Sequence, residues 1–179
     1  MLEAILHPGH VEIAAMASDP QGGLALTGVA FDALDLGPAS LPAMTAETPF
    51  VARLDPDAAP LWATHFQVDR LSSVAIGPTG IVAVQGNTSG TPMFGTQDPP
   101  DPPPGPISSP FIVSPSFVAT YEPDGAPRWY HGTQLRSGTI ALDNDTVLLA
   151  GGQINDLWLS GCFHYLRDRE DAVVLRFHL

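Results

Sequence analysis

The polar residues that come closest to a catalytic arrangement lie near the C-terminal end of the sequence. Cys162 and His164 are followed by Asp168, Glu170 and Asp171. A thiolate and an imidazole can act as nucleophile and base when a third group orients the ring. No such third group stands at a defined spacing, so we assign no catalytic residue. Polar clusters on loops are usually only solvated, and a ligand surface is the more common functional role than catalysis. As the functional alternative, we predict that His164 and Asp168 bind a ligand.

Trp158 is the third residue that we predict to bind a ligand. It lies between Leu157 and Leu159, in a segment that we expect to be a loop outside any repeated pattern. A large aromatic side chain on a loop can anchor a partner or fold over the core. We therefore group Trp158 with His164 and Asp168 as one ligand-binding surface.

Two other polar strings could hold metal ions. His7, His10 and Glu12 carry groups that bind zinc, but in a strand the two histidines would point to opposite faces. The string 143–145, Asp-Asn-Asp, offers too few oxygens for calcium and is more typical of a tight turn. The sequence also lacks the Gly-x-Ser-x-Gly elbow and the glycine-rich phosphate and dinucleotide loops. We predict no metal site and no cofactor.

An internal repeat defines the elements that must position these residues. Residues 50–62 return as 117–129, an offset of 67, and a related terminal copy spans 173–179, with Arg176 in the place of Arg53. Upstream of each copy, short apolar runs flank a turn of the Pro-x-Gly type or, in the third copy, an Asn-Asp turn. Such runs and turns predict short antiparallel strands, and therefore an all-β fold.

The pattern of each repeat predicts four strands, which is typical of a β-propeller blade. Trp62 and Trp129 recur once per repeat, which predicts packing between blades. The predicted strands are 11–17, 24–31, 49–55 and 61–66 in the first repeat, 71–76, 81–87, 116–122 and 128–132 in the second, and 138–143, 147–151 and 172–179 in the third.

The repeat resembles a known family. Asp-Pro-Gln-Gly at 19–22, a strand that ends in Thr-Gly at 27–28, and Phe-Val-Ala-Arg-Leu-Asp-Pro at 50–56 are similar to the bacterial β-propeller repeats labelled SBBP, relatives of NHL-type blades. The resemblance implies one partial propeller domain, 1–179, with blades at about 11–66, 71–133 and 137–179. It also implies an exported or cell-surface setting, although the sequence carries no signal peptide. The second copy departs from the pattern at Tyr121 and Glu122.

The third blade lacks an outermost strand, and residues 2–7 fall where such a strand belongs. A terminal strand of this kind latches closed propellers, but three blades are too few to close a ring. We expect that the remaining blades belong to a longer chain. The alternative is a homodimer in which two copies exchange their end strands into a six-bladed ring.

Charge and insertions restrict the possible partners. The formal net charge is −12, with 7 basic against 19 acidic residues, which disfavours nucleic acid and anionic membranes. No stretch is long and apolar enough for membrane insertion, and the single cysteine cannot form an intrachain disulfide.

Long insertions at 32–48, 88–115 and 153–171 all follow the second strand of a repeat, so we expect them to share one face. The middle insertion contains a proline-rich loop at 95–110.

The sequence favours a non-enzymatic binding or scaffolding module whose ligand is an unknown protein or small molecule. A hydrolase or oxidoreductase with a site on the inter-strand loops is the alternative, because chemistry can be grafted onto the loops of any scaffold.

Overall fold

The computed structural model describes residues 11–34, 36, 39, 41, 47–89, 93–94, 116–133, 135–144, 146–153, 157–159, 162–164 and 172–178. These residues form fourteen strands and no α-helix, so the predicted all-β class is confirmed. The predicted latching strand at 2–7, the proline-rich loop at 95–110, Asp168, His7 and His10 lie outside the described residues. Within the described part of the chain, no helix is long and apolar enough to span a membrane.

Sheet 1 is antiparallel and has the strand order β1-β2-β3-β4-β7. The turn between β1 and β2 contains Gly22 at a φ of 89°, and the turn between β3 and β4 contains Ala58 at 63°. Both turns follow an Asp-Pro step, which favours a reversal of the chain. The strands are β1 (Val11–Ser18), β2 (Leu24–Ala30), β3 (Thr48–Leu54), β4 (Pro60–Gln67) and β7 (Met93–Phe94).

Sheet 2 repeats this arrangement with the order β5-β6-β8-β9. Its two tight turns place Gly80 at a φ of 81° and Gly125 at 89°, the left-handed region that glycine adopts without strain. The strands are β5 (Arg70–Ile76), β6 (Val82–Asn87), β8 (Ser116–Tyr121) and β9 (Pro127–Thr133).

Sheet 3 has the order β10-β11-β14, and a separate two-stranded hairpin joins β12 to β13. The turn from β10 to β11 contains Asn144 at a φ of 46°, in agreement with the turn predicted there. The strands are β10 (Leu135–Asp143), β11 (Thr146–Gln153), β12 (Leu157–Leu159), β13 (Cys162–His164) and β14 (Ala172–His178).

All eleven strands predicted from the repeat are present, with bounds within three residues of those predicted. One prediction about the insertions was wrong, and one strand pairing within them was not predicted. The segment around Trp158 was expected to be a loop, but it forms β12 of the hairpin. The insertion after β6 contains β7, which pairs with β4, so β4 is not the edge of its sheet. These short strands depend on pairing with a partner strand and carry no repeated pattern of their own.

The three sheets stack face to face, and sheet 2 lies in the middle. We call the face of each sheet that points toward the next sheet in the chain its forward face, and the opposite face its rear face. The forward face of sheet 1, with Ala25, Val51 and Trp62, packs on the rear face of sheet 2, with Val74 and Val84. The forward face of sheet 2 packs in the same way on the rear face of sheet 3, through residues that include Ala83, Val118, Trp129, Ile140 and Leu149.

The tryptophan contact between sheets recurs at both junctions, as the repeat predicted. The ring of Trp62 lies 5.5 Å from that of Tyr121 on the next sheet, and the ring of Trp129 lies 5.1 Å from that of Phe177. Tyr121 and Phe177 occupy the same repeat position. The two tryptophans therefore belong to the packing between sheets.

Candidate ligand-binding cleft

An open cleft of about 400 Å³ lies where the insertions begin and end, at the junction of sheets 1 and 2. Residue 47 closes the first insertion, residues 67–69 connect β4 to β5, and residues 88–89 open the second insertion. Because the insertions of both sheets leave from the same end of the stack, loop residues far apart in sequence meet here. The lining residues are Glu47, Thr48, Pro49, His65, Phe66, Gln67, Val68, Asp69, Thr88 and Ser89.

The polar lining is held by the ends of regular strands. His65 on β4 pairs with Phe50 on β3, which fixes its position along the sheet. The backbone N–H of Asp69 donates to the carbonyl of Asn87 at 3.0 Å, and the hydroxyl of Ser89 donates to the Asp69 carboxylate at 3.0 Å. The start of the second insertion is thereby tied to the turn between β4 and β5.

The charge of the cleft is negative. Glu47 and Asp69 are exposed, and within the described ranges neither carboxylate forms an ion pair. The imidazole of His65, the amide of Gln67 and the hydroxyls of Thr48 and Ser89 add hydrogen-bonding groups. This lining suits a ligand that donates hydrogen bonds and carries positive charge.

A second hollow, of about 230 Å³, lies at the turn end of the same junction. Its charged groups are already used to hold the sheets together. Asp19 accepts hydrogen bonds from the backbone N–H groups of Gln21 at 2.9 Å and Gly23 at 2.8 Å. Arg53 lies 3.9 Å from the Asp19 carboxylate and donates to the carbonyl of Pro123 at 2.9 Å. This cluster is structural, and the cleft at the insertion end is the better ligand site.

Among the side chains that the structure describes, three have pKa values shifted by burial, and all three belong to the packing between sheets. Burial raises the pKa of Tyr121 well above its ordinary value and raises the pKa of Tyr130 less strongly. It lowers the pKa of His131, whose ring stacks on Trp129 at 5.6 Å. None of the three lines the cleft, so these shifts reflect the core rather than ligand chemistry.

Of the three ligand-binding residues predicted from the sequence, the structure describes the strand positions of two. Trp158 and His164 belong to the β12–β13 hairpin, where Trp158 pairs with Phe163 and His164 pairs with Leu157. Asp168 lies outside the described residues, so the ligand-binding surface of Trp158, His164 and Asp168 stays a prediction. The reasoning from sequence missed Glu47, His65 and Asp69, because no motif marks them. The available signal was their position at the insertion end of the predicted strands, with Glu47 at the end of an insertion, His65 near the end of β4 and Asp69 in the connection to β5.

No described group of three or more histidine, cysteine, aspartate or glutamate side chains could hold a metal ion. Neither a family model nor a curated protein matches the chain.

Proposed function

We propose that the chain is a non-enzymatic binding module built from β-propeller repeats, with the insertion-end cleft as its ligand site. The main support for this proposal is the cleft itself. It brings together two carboxylates that form no ion pair within the described residues and other hydrogen-bonding groups from two sheets, at the end where the insertions leave. A binding surface on variable loops, positioned by a rigid β scaffold, is a common arrangement in proteins.

The propeller architecture is supported by the equivalence of the two junctions between sheets. The same repeat positions contact each other at both junctions, and the first strands β1 and β10 each contact β5. In a propeller the first strand of every blade lies near a common axis. An experimental structure with β1, β5 and β10 arranged around one axis would support the proposal, and three sheets stacked without rotation would contradict it.

The chemistry of the cleft favours a peptide that carries arginine or lysine side chains. A guanidinium or ammonium group can donate to Glu47 and Asp69 together, and the net charge of −12 attracts cations over a longer range. Such binding should weaken as salt screens the charges.

Titration of the isotope-labelled chain with an arginine-rich peptide, followed by NMR, tests this proposal. We expect saturable shifts at the amides of residues 47, 65, 69 and 89, and none with a glutamate-rich peptide. Removing both charges with Glu47→Gln and Asp69→Asn should weaken binding about tenfold or more. The matched control is Asp57→Asn in the exposed turn at the opposite end, which should bind as the wild type does. Shifts scattered over the surface, or equal binding by all variants, would refute the cleft as the site.

A further inference from the structure

The forward face of sheet 3 is exposed, although its counterparts in sheets 1 and 2 are completely covered. Val51, Val118 and Val174 share one repeat position, and their exposed fractions are 0%, 0% and 68%. Ala25, Ala83 and Leu148 share another, with 0%, 0% and 38%. An apolar face that is buried twice within the chain is left open at its third occurrence.

The strand register makes these positions equivalent. Ala25 lies opposite Arg53, Ala83 opposite Thr120, and Leu148 opposite Arg176. Leu148, Ala150, Val174 and Arg176 are all exposed, as are Thr139 and Ala141 on the neighbouring strand. The forward face of sheet 3 is thus a contiguous surface with an arginine at its turn end.

Arg176 occupies the repeat position of Arg53, whose contacts indicate what the forward face of sheet 3 could contact. In sheet 1, Arg53 reaches the turns of the next sheet, where it donates to the carbonyl of Pro123 and packs directly on Gly80. A Cβ atom on Gly80 would lie only 2.5 Å from the Arg53 guanidinium. Within the described residues Arg176 forms no ion pair. A neighbouring sheet with a glycine and a carbonyl at these two turns would give Arg176 the contacts that Arg53 makes.

Sheet 1 offers these groups on its own exposed rear face. Gly22 and Pro56 are the repeat equivalents of Gly80 and Pro123, and both are exposed. Met16, which is 64% exposed, occupies the position of Val74 and Ile140, which are 6% and 5% exposed beneath the preceding sheet. The chain therefore carries both halves of the same interface, one at each end of the stack.

The outer part of the rear face of sheet 1 is already covered by the first insertion. Leu34, Leu36 and Leu41 pack on Phe50 and Ala52. At the junction of sheets 1 and 2, the equivalent Phe117 is covered instead by Phe66 on the fourth strand, at a ring distance of 6.3 Å. The described part of sheet 3 has three strands. A three-stranded sheet packed on the rear face of sheet 1 would have no fourth strand to cover Phe50. The first insertion covers this residue instead.

We propose that a second copy of this chain covers the open face. The forward face of sheet 3 in one copy packs on the rear face of sheet 1 in the other, and the reverse contact closes a ring of six sheets around a twofold axis. Arg176 of each copy donates to the carbonyl of Pro56 in the other copy. This inference depends on the equivalence of the sheet faces and not on the ligand proposed for the cleft.

Sedimentation and light scattering of the chain and two charge variants test the proposal. We expect the wild type to form a dimer of twice 18.9 kDa. Val174→Asp and Met16→Asp each place a carboxylate in the contact and should raise the dimer dissociation constant about tenfold or more. Both residues are exposed in the single copy, so circular dichroism should show that each variant is folded. Arg70→Glu, at another exposed position, is the matched control and should leave the dimer intact.

Mixing the two variants gives a sharper test of which faces meet. In a mixed pair, the Met16→Asp copy still has Val174, and the Val174→Asp copy still has Met16. These two residues form one unaltered contact, so mixing should restore part of the dimer. If Met16→Asp stays dimeric while Val174→Asp does not, sheet 3 pairs with itself and the proposal is wrong. A wild-type chain that remains a monomer also overturns it, and leaves the face to additional sheets of a longer chain. Neither result would affect binding in the cleft.

Discussion

At the scale of single residues, glycines at the turns determine how closely neighbouring sheets approach. Gly125 has a φ of 89°, and a Cβ atom built on it would lie 2.8 Å from the Trp62 ring. Both the backbone conformation and the contact therefore require glycine at this position. The repeat equivalent in sheet 1 is Ala58, which keeps a positive φ of 63°.

We predict that Gly125→Ala lowers the free energy of unfolding by about 2–4 kcal/mol, because it adds left-handed backbone strain to an overlap with Trp62. The matched control is Gly152→Ala, where nothing lies within 4 Å of the added Cβ atom. It should change the stability by less than about 0.5 kcal/mol. Urea denaturation measures both values, and equal effects of the two substitutions would contradict the packing described here.

A related prediction concerns Ala58, which lies in the left-handed region without being glycine. Ala58→Gly should raise the free energy of unfolding by up to about 1 kcal/mol, since relief of the strain exceeds the entropy gained by the unfolded chain. The same denaturation experiment checks it. A loss of more than about 1 kcal/mol would show that the Ala58 methyl group makes a packing contact worth more than the strain.

We predict that the partly buried His131 makes the free energy of unfolding depend on pH. Burial between Trp129 and Phe177 holds its pKa below the ordinary value. The unfolded chain therefore binds a proton at pH values where the folded chain does not. The stabilisation from neutral His131 is fully present above the unfolded pKa of about 6.5 and is lost as the pH falls below it.

His131→Phe should therefore reduce the loss of stability between about pH 7.5 and about pH 5.5, because phenylalanine keeps the ring packing and cannot be protonated. Carboxylates titrate mostly below this window. Urea denaturation at both pH values measures the loss of unfolding free energy for the wild type and for the variant. Identical losses in wild type and variant would show that protonation of His131 does not limit folding in this range.

At the scale of strands and sheets, the turns explain why so much of the fold could be predicted. The Pro-x-Gly turns and the apolar runs beside them are local features, and each predicts a strand wherever it occurs. The pairing of β7 with β4 and the β12–β13 hairpin depend on residues distant from the repeat. The cleft joins Glu47, Asp69 and Ser89 from three connections, and no local pattern records that they meet.

A hydrogen bond between edge strands also joins sheets 2 and 3. β5 and β10 are the first strands of sheets 2 and 3, and the backbone N–H of Ile140 on β10 donates to the hydroxyl of Ser73 on β5 at 3.2 Å. Ser73 is 9% exposed. A buried N–H group that loses its acceptor loses stabilising free energy.

Ser73→Ala should accordingly lower the free energy of unfolding by about 1–2 kcal/mol, because it leaves the Ile140 N–H without this acceptor. Ser18→Ala, at an exposed position of β1, is the control and should cost less than about 0.5 kcal/mol. Hydrogen exchange adds an independent measurement, since the amide of Ile140 should lose protection in the Ser73 variant alone. Unchanged protection would mean that the hydroxyl is not the essential acceptor.

At the scale of the whole molecule, the repeat places equivalent residues in two environments. Positions that are buried between sheets 2 and 3 are exposed on the forward face of sheet 3. Val118 and Val174 are the same residue at the same repeat position, with exposed fractions of 0% and 68%. Any difference between their alanine variants therefore measures what covers each sheet. The two valines differ in burial and also in pairing, since β8 has neighbours on both sides and β14 lies at the edge of the described sheet 3.

Val118→Ala should lower the free energy of unfolding by about 1–3 kcal/mol at every protein concentration, because its cavity lies between sheets 2 and 3. Val174→Ala should cost less than about 0.5 kcal/mol in dilute solution. Its cost should rise as the chain is concentrated into the proposed dimer, since only then is Val174 buried. Denaturation over a series of protein concentrations separates the two. A cost at Val174 that does not change with concentration would mean that its face meets no second copy.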